Sequence, residues 1–156
     1  MRIALSIAGS DPSGGAGIQA DLKTFASHGV YGVSAITAVT AQNTQRVHDF
    51  DTVTPELIEA QINAITKDMD VHAVKTGMLP TAAIVTTVAS ITKKLQLPYL
   101  VVDPVMFAKS GDRLVDNDAV TAIRTLLLPH AFVITPNIPE AEVLAQMTIR
   151  NHDDHL

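Results

Sequence analysis

Ile3-Ala4-Leu5-Ser6-Ile7-Ala8, then Gly9-Ser10-Asp11-Pro12-Ser13-Gly14-Gly15-Ala16-Gly17, then Ile18-Gln19-Ala20-Asp21-Leu22: the reading of this stretch decides the fold. The first six residues make a near-continuous apolar run, the pattern of a strand buried on both faces. The next nine contain four Gly and open straight into Ile18, Leu22 and Phe25, spaced i, i+4, i+7 on one face of a helix that should end near Gly29.

Working outward, the same alternation recurs. Further β-rich runs are Val33 to Val39, Val71 to Lys75, Tyr99 to Val102 and Ala131 to Ile134, and the gaps between them are long enough for crossover helices. Thr54 can cap the second helix with Pro55 at its first position, and Ile58, Ile62, Ile65 and Met69 then share a face. Ile84, Val88, Ile91 and Leu95 make a third stripe that must stop before Pro98; Val120, Ile123 and Leu127 make a fourth. Five strands alternating with helices predict a mostly parallel sheet joined by right-handed crossovers, an α/β fold with helices on both faces. No repeat or linker interrupts residues 1–156, which read as a single domain, and the polar tail Asn151 to Leu156 is expected to fray.

Composition narrows the function classes. The 156 residues are 47% hydrophobic and 17% charged, a globular rather than disordered balance. A chain of this length can bury roughly 70% of its unfolded surface, enough for a core without disulfides. Cysteine is absent, which excludes thiolate metal sites and a cysteine nucleophile and suits a reducing compartment. A net charge of -5 without a basic cluster argues against nucleic acid as partner. No run approaches the ~18 apolar residues of a membrane span, and a cytoplasmic protein is the expectation.

Open parallel sheets bind ligands beyond the carboxyl ends of their strands, and the unusual residues fall there. The four Gly after strand one permit close backbone approach to a ligand, and the following helix N-terminus should offer free N–H groups to an anion or polar ring; a tight turn is the plainer reading. Gly15-x-Gly17-x-x-Ala20 fits a dinucleotide fingerprint, but the second strand ends Thr40-Ala41-Gln42-Asn43, without the acidic residue that would hold a ribose, so a dehydrogenase fits poorly. No Gly-Lys-Ser/Thr follows the glycines, which excludes a Walker A loop.

At the other strand ends, Gln42 and Asn43 are either heterocycle-reading amides or a solvated turn. Lys75 either snorkels to the sheet edge or faces an anion. Met78 reads first as a gap-filling core residue. Asp103, followed by Pro104-Val105-Met106 and Lys109-Ser110-Gly111-Asp112, either serves a magnesium and phosphate network or shapes a turn. Glu140 can complement a helix dipole, a reading that leaves Asn137 without a role. The six His, including His152 and His155, show no metal-ligand spacing and read as structural or exposed.

Assembled in order, Ala8 to Thr24, Thr37 to Thr44, Lys75-Thr76-Gly77-Met78-Leu79, Asp103-Pro104-Val105-Met106 with Lys109-Ser110-Gly111-Asp112, and Thr135-Pro136-Asn137-Ile138-Pro139-Glu140-Ala141 resemble the hydroxymethylpyrimidine/phosphomethylpyrimidine kinase family of thiamin biosynthesis, within the ribokinase-like superfamily. The resemblance runs to about Leu144 and implies a three-layer αβα kinase domain, of which residues 1–156 would be the N-terminal portion. It implies transfer of phosphate from ATP, with Mg2+, to 4-amino-5-hydroxymethyl-2-methylpyrimidine and then to its monophosphate. By the same likeness Gln42 would read the pyrimidine, Gly9, Ala16, Met78 and Val105 would wall its pocket with Asp21 beside them, and Asp103, Asn137 and Glu140 would belong to the magnesium and phosphate network. A pyridoxal kinase is a related expectation, and a non-catalytic pyrimidine-binding or partner-dependent module is the alternative from another class.

The family's second Gly-rich loop, of Gly-Thr-Gly-Cys type, supplies the anion hole and the catalytic residue. All eight Gly here lie at or before Gly111. The expectation is a chain carrying the substrate-binding half, truncated on its C-terminal side and inactive alone. Its sheet should expose an edge, giving weak folding or association with copies of itself or with a chain supplying the other half.

Overall fold

A computed structural model of the chain describes residues 1–108, 111 and 113–150. Lys109, Ser110 and Asp112, the tail from Asn151 and both of its His lie outside the described residues. β1 (Ile3–Ala8) passes through the Gly-rich turn into α1 (Gly17–Ser27), and the chain reverses at Gly29 to enter β2 (Tyr31–Ile36). β1 and β2 pair in parallel from Ile3 against Tyr31 to Ala8 against Ile36. β3 (Ala38–Gln42) and β4 (Val47–Thr52) then form an antiparallel hairpin of their own. α2 (Pro55–Asp68), β5 (Ala73–Thr76), α3 (Ala82–Lys94) and β6 (Leu100–Val102) follow. α4 (Asn117–Ala122) runs into a π-helical turn and a 3-10 turn, and β7 (Val133–Ile134) and α5 (Ile138–Ala145) complete the described chain.

The helices begin where their caps dictate. The Thr54 hydroxyl accepts the Leu57 N–H at 3.3 Å with Pro55 inside the first turn of α2. Thr81 and Asp116 cap α3 and α4 in the same way. Of the expected stripes, Ile58, Ile62, Ile84, Val88, Ile91, Ile123 and Leu127 are buried in one core with Leu5, Ile7, Val74, Leu100 and Val102, Ile65, Leu95 and Val120 pack half-buried against it, and Met69 falls beyond the end of α2.

The five parallel strands stand in the order β2-β1-β5-β6-β7. Strand order reverses direction at β1. Right-handed crossovers therefore place α1 on one face and α2, α3 and α4 on the other. Side-chain alternation agrees: Leu5 and Ile7 join the core under α2 to α4, while Ser6 between them donates to Asp21 of α1. No helix among the described residues is long and apolar enough to cross a membrane.

One expectation is corrected. Val33 to Val39 is not one strand, because the chain leaves the sheet at Thr37. The Thr37 N–H donates to the Ala8 carbonyl, continuing the ladder, while its buried hydroxyl donates to the Met78 carbonyl at 2.7 Å. Beyond it Ala38 starts the hairpin, which places Gln42 at the end of β3 and not of β2.

The β7 end of the sheet is bare of cover among the described residues. Val133 and Ile134 are 43% and 45% exposed, and Phe132, 67% exposed, stands edge-on to Tyr99 at 5.1 Å between ring centroids. Exposed apolar side chains thus collect at this edge among the described residues.

Candidate functional site

The carboxyl ends of β1, β5, β6 and β7 enclose, with the hairpin, a cleft of about 630 Å³. It lies at the reversal of strand order, where open α/β sheets bind their ligands. Gly9, Ala16, Asp21, Gln42, Met78, Asp103, Val105, Asn137 and Glu140 all line it. Residues scattered from position 9 to position 140 are therefore neighbours around one opening.

The Gly-rich loop forms the first wall, and its hydrogen bonds correct an expectation. Asp11, 2% exposed, fills the concavity with its own carboxylate. Its Oδ1 accepts the Ser13 N–H at 2.8 Å and the Ser13 hydroxyl at 2.7 Å, and its Oδ2 accepts the N–H groups of Gly15 at 3.0 Å and Ala16 at 2.8 Å. Three loop donors, the N–H groups of Ser13, Gly15 and Ala16, are thereby already satisfied, and in the first turn of α1 the Ile18 N–H donates to the Gly9 carbonyl at 3.0 Å. Burial alone would raise the Asp11 pKa, but the Ser13 hydroxyl and the three backbone donors outweigh it and hold the carboxyl below its ordinary value. Ser10 ties this wall to the hairpin: its N–H donates to the Ala38 carbonyl at 2.9 Å, and its carbonyl accepts the Thr40 hydroxyl at 2.8 Å.

Two glycines of this loop lie in close approach to their surroundings. Gly17 sits at φ +57°, where a Cβ would lie 2.5 Å from the Gly9 carbonyl oxygen. At Gly9 a Cβ would meet the Met78 sulfur at 3.2 Å. Gly9 and Met78 therefore abut, and together with Ala16 and Val105 they give the cleft apolar surfaces suited to a flat ring.

The hairpin supplies the second wall. Its two amides behave differently. Asn43 forms the turn, its Oδ1 accepting the N–H groups of Gln45 at 2.9 Å and Arg46 at 3.0 Å. Gln42 lines the cleft with its Oε1 3.3 Å from the Thr40 hydroxyl and its amide N–H2 uncommitted.

At the base of the cleft lies a charged triad. Lys75 Nζ is 3.0 Å from Asp21 Oδ1 and 3.2 Å from Asp103 Oδ2, and Ser6 donates to Asp21 Oδ2 at 2.7 Å. Of the two readings of Lys75, it is the anion-facing one that the geometry matches, and the anions belong to the protein. Asp21 holds Lys75, while Asp103 remains 30% exposed toward the cleft.

Asn137 has a structural role after all. Its Oδ1 accepts the Glu140 N–H at 2.9 Å and the Glu140 Oε2 accepts the Asn137 N–H at 3.0 Å, a reciprocal cap on α5. Glu140, only 4% exposed, also accepts the Met106 N–H through Oε1 at 3.3 Å, which links α5 to the segment after β6. Sequence reading did not identify Asp11 or Arg46 as parts of the site. Asp11-Pro12-Ser13-Gly14 carried the signal of an aspartate that accepts the N–H two residues on; nothing in the sequence marks Arg46, whose place depends on the hairpin.

A family model described as phosphomethylpyrimidine kinase matches residues 11–156. A putative hydroxymethylpyrimidine/phosphomethylpyrimidine kinase 2 from Schizosaccharomyces pombe is 53% identical over 146 residues, 94% of this chain and 26% of that protein. A hydroxymethylpyrimidine/phosphomethylpyrimidine kinase from Bacillus subtilis is 50% identical over 151 residues, 97% of this chain and 56% of that protein. The chain spans about half the length of the bacterial relatives it matches. The crystal structure of phosphomethylpyrimidine kinase from Clostridium difficile 630 superposes with a TM-score of 0.93 at 48% identity, covering 99% of this chain and 67% of that one. The pyridoxal kinase from Staphylococcus aureus in complex with AMP-PCP and pyridoxal superposes with a TM-score of 0.84 at 34% identity, covering 99% of this chain and 55% of that one. The α/β fold is ribokinase-like. Matched by the family model over all but its first ten residues, the chain belongs to the phosphomethylpyrimidine kinase family.

Proposed function

We propose that the cleft binds 4-amino-5-hydroxymethyl-2-methylpyrimidine and presents its hydroxymethyl oxygen for phosphorylation from ATP, first to the monophosphate and then again, as in thiamin biosynthesis. One observation carries this reading: the apolar surfaces of Gly9, Ala16, Met78 and Val105 and the side-chain amide of Gln42, its N–H2 uncommitted among the described residues, line a single cleft of about 630 Å³. A carboxamide offers a donor and an acceptor side by side, the complement of an amino group next to a ring nitrogen. The relatives' names support the substrate class, and the pyridoxal kinase complex with AMP-PCP supports a nucleotide. A reaction fed by ATP suits a cytoplasmic protein that acts on a small molecule.

The donors present fit magnesium held chiefly by nucleotide phosphates and water. The described residues contain no group of three or more His, Asp or Glu that could cage a metal. Asp103 is the partly exposed carboxylate placed to hold the ion, and Mg2+ characteristically takes one or two carboxylates alongside phosphate oxygens. Both oxygens of Glu140 accept backbone N–H groups, so with Asn137 it would orient the segment behind the ion rather than bind it. When bound, the ion would neutralise phosphate charge.

Positioning and charge stabilisation do most of the work in phosphoryl transfer, and the second Gly-rich loop has no counterpart in these 156 residues. Loss of an anion hole costs roughly 100- to 1,000-fold in rate, and loss of a general base roughly a further 100- to 10,000-fold. The 156-residue chain on its own therefore binds the pyrimidine and turns it over negligibly, alone or as an association of copies.

Calorimetry with the pyrimidine, followed by an ATP-dependent phosphorylation assay, tests both halves of this reading. Saturable 1:1 binding with negligible turnover is expected. Absence of binding defeats the substrate assignment, and full turnover by the 156 residues defeats the incompetence. The structural likeness to pyridoxal kinases favours one second reading, a pyridoxal-type substrate; tighter binding of pyridoxal than of the aminopyrimidine would establish it.

A further inference from the structure

Four carboxylates and two cations line the cleft: Asp11, Asp21, Asp103 and Glu140 against Lys75 and Arg46. A phosphorylated ligand entering such an acidic opening needs positive charge to offset the repulsion, yet one of the two cations and several backbone donors are already engaged. Lys75 is held between Asp21 and Asp103. The N–H groups of Ser13, Gly15 and Ala16 point at Asp11. The N–H of Gly77 donates to the Ile7 carbonyl, that of Asp103 to Thr76, that of Thr135 to Val102 and that of Asn137 to Glu140. Among the described lining residues, one cation is left over. Among the described residues the Arg46 guanidinium makes no hydrogen bond or ion pair, and the residue is exposed at the hairpin tip.

Its placement couples it to the ring-reading amide. The Asn43 N–H donates to the Arg46 carbonyl at 3.1 Å, and the next residue, Val47, stands opposite Gln42 in the β3–β4 register. The turn backbone is fixed through Asn43, so the side chain of Arg46 is free to reorient without disturbing the fold. A planar guanidinium fork suits phosphate oxygens, and a charge-assisted pair is among the stronger hydrogen bonds a site can make.

We infer that Arg46 holds the phosphate of the phosphorylated pyrimidine, so that the hairpin tip sets the preference between the free alcohol and its monophosphate. The inference rests on the pyrimidine reading above and deepens it by assigning the group that recognises the second substrate. The phosphate belongs to the substrate and not to the nucleotide because the cation and the ring-reading amide share one hairpin.

Calorimetric affinities for the alcohol, its monophosphate, inorganic phosphate and ATP, measured on the wild type, Arg46→Gln and Arg46→Lys, test it. Arg46→Gln is expected to weaken the monophosphate about tenfold and the alcohol less than about twofold, with Arg46→Lys recovering part of the loss. Added salt is expected to erode the wild type's affinity for the monophosphate more than the variant's. An unchanged monophosphate affinity, or an equal loss for both pyrimidines, overturns the inference. A loss confined to ATP or to inorganic phosphate overturns it too, by reassigning Arg46 to another anion. Should the wild type bind neither pyrimidine, the pyrimidine reading itself fails; should it bind both and the variant match it, only the role of Arg46 fails.

Discussion

The Gly-rich loop and the hairpin form two walls of the same cleft, and their chemistry is inverted. The loop, rich in backbone donors and leading into a helix, has the N–H groups of Ser13, Gly15 and Ala16 satisfied by its own Asp11. Among the described residues the hairpin keeps the amide N–H2 of Gln42 and the guanidinium of Arg46 uncommitted. A loop whose donors are internally satisfied is a rigid wall; a loop with free donors can recognise. The contrast teaches that glycine density marks close packing of backbone here, and that recognition lies with the less conspicuous element.

The comparison can be broken most severely at Gly17. Gly17→Ala forces a Cβ to 2.5 Å from the Gly9 carbonyl oxygen at a positive φ and is expected to destabilise the chain by about 3 kcal/mol, read as a lowered urea midpoint. A midpoint shift near that of a surface substitution would show that the wall is pliable.

Asp11→Asn removes the charge that organises the loop and is expected to cost about 2 kcal/mol at neutral pH. The pH dependence follows from the lowered pKa. The contribution of Asp11 is fully present above its ordinary value of 3.8 and is lost as pH falls through that value and below it. Wild type and variant should therefore converge in stability in acid, and a constant gap between them down to pH ~2 would contradict the role given to the carboxylate.

On the hairpin side the same kind of change should act on ligand and not on fold. Gln42→Leu is expected to shift stability by less than about 0.5 kcal/mol while weakening the aminopyrimidine roughly tenfold or more, because the ring's polar edge loses its partner. A large loss of stability with affinity retained would exchange the roles of the two walls. The smallest effect is expected farthest from both: Phe132→Ser, beside the bare β7 edge, should leave the pyrimidine affinity unchanged and lower self-association in sedimentation runs at high concentration.

Much of the fold was legible because its signals are local. Thr54-Pro55 and the stripe Ile58, Ile62 specify α2 by capping and period, and the run Ile3 to Ala8 specifies a strand buried on both faces. The hairpin was not legible in the run Val33 to Val39, because what ends β2 is a long-range bond from Thr37 to Met78, 41 residues away. Asn43-Thr44-Gln45-Arg46 between two β-rich runs was the available clue. The residues that gather around the cleft were legible as strand-end residues, since the sheet rule brings such positions together whatever their spacing in sequence. What each of them does there was not. Asn137 caps α5, Lys75 lies between two carboxylates, and Asp11 occupies the loop's own donors; each of these depends on a partner that only folding supplies.

A crystal structure with 4-amino-5-hydroxymethyl-2-methylpyrimidine soaked in measures the account's central claim directly. The ring is predicted to lie between the Gly9 and Ala16 wall and Met78 with Val105, its amino edge within hydrogen-bond distance of the Gln42 amide. A ring bound outside this cleft, or seated within it with its amino edge turned away from Gln42, would contradict the account.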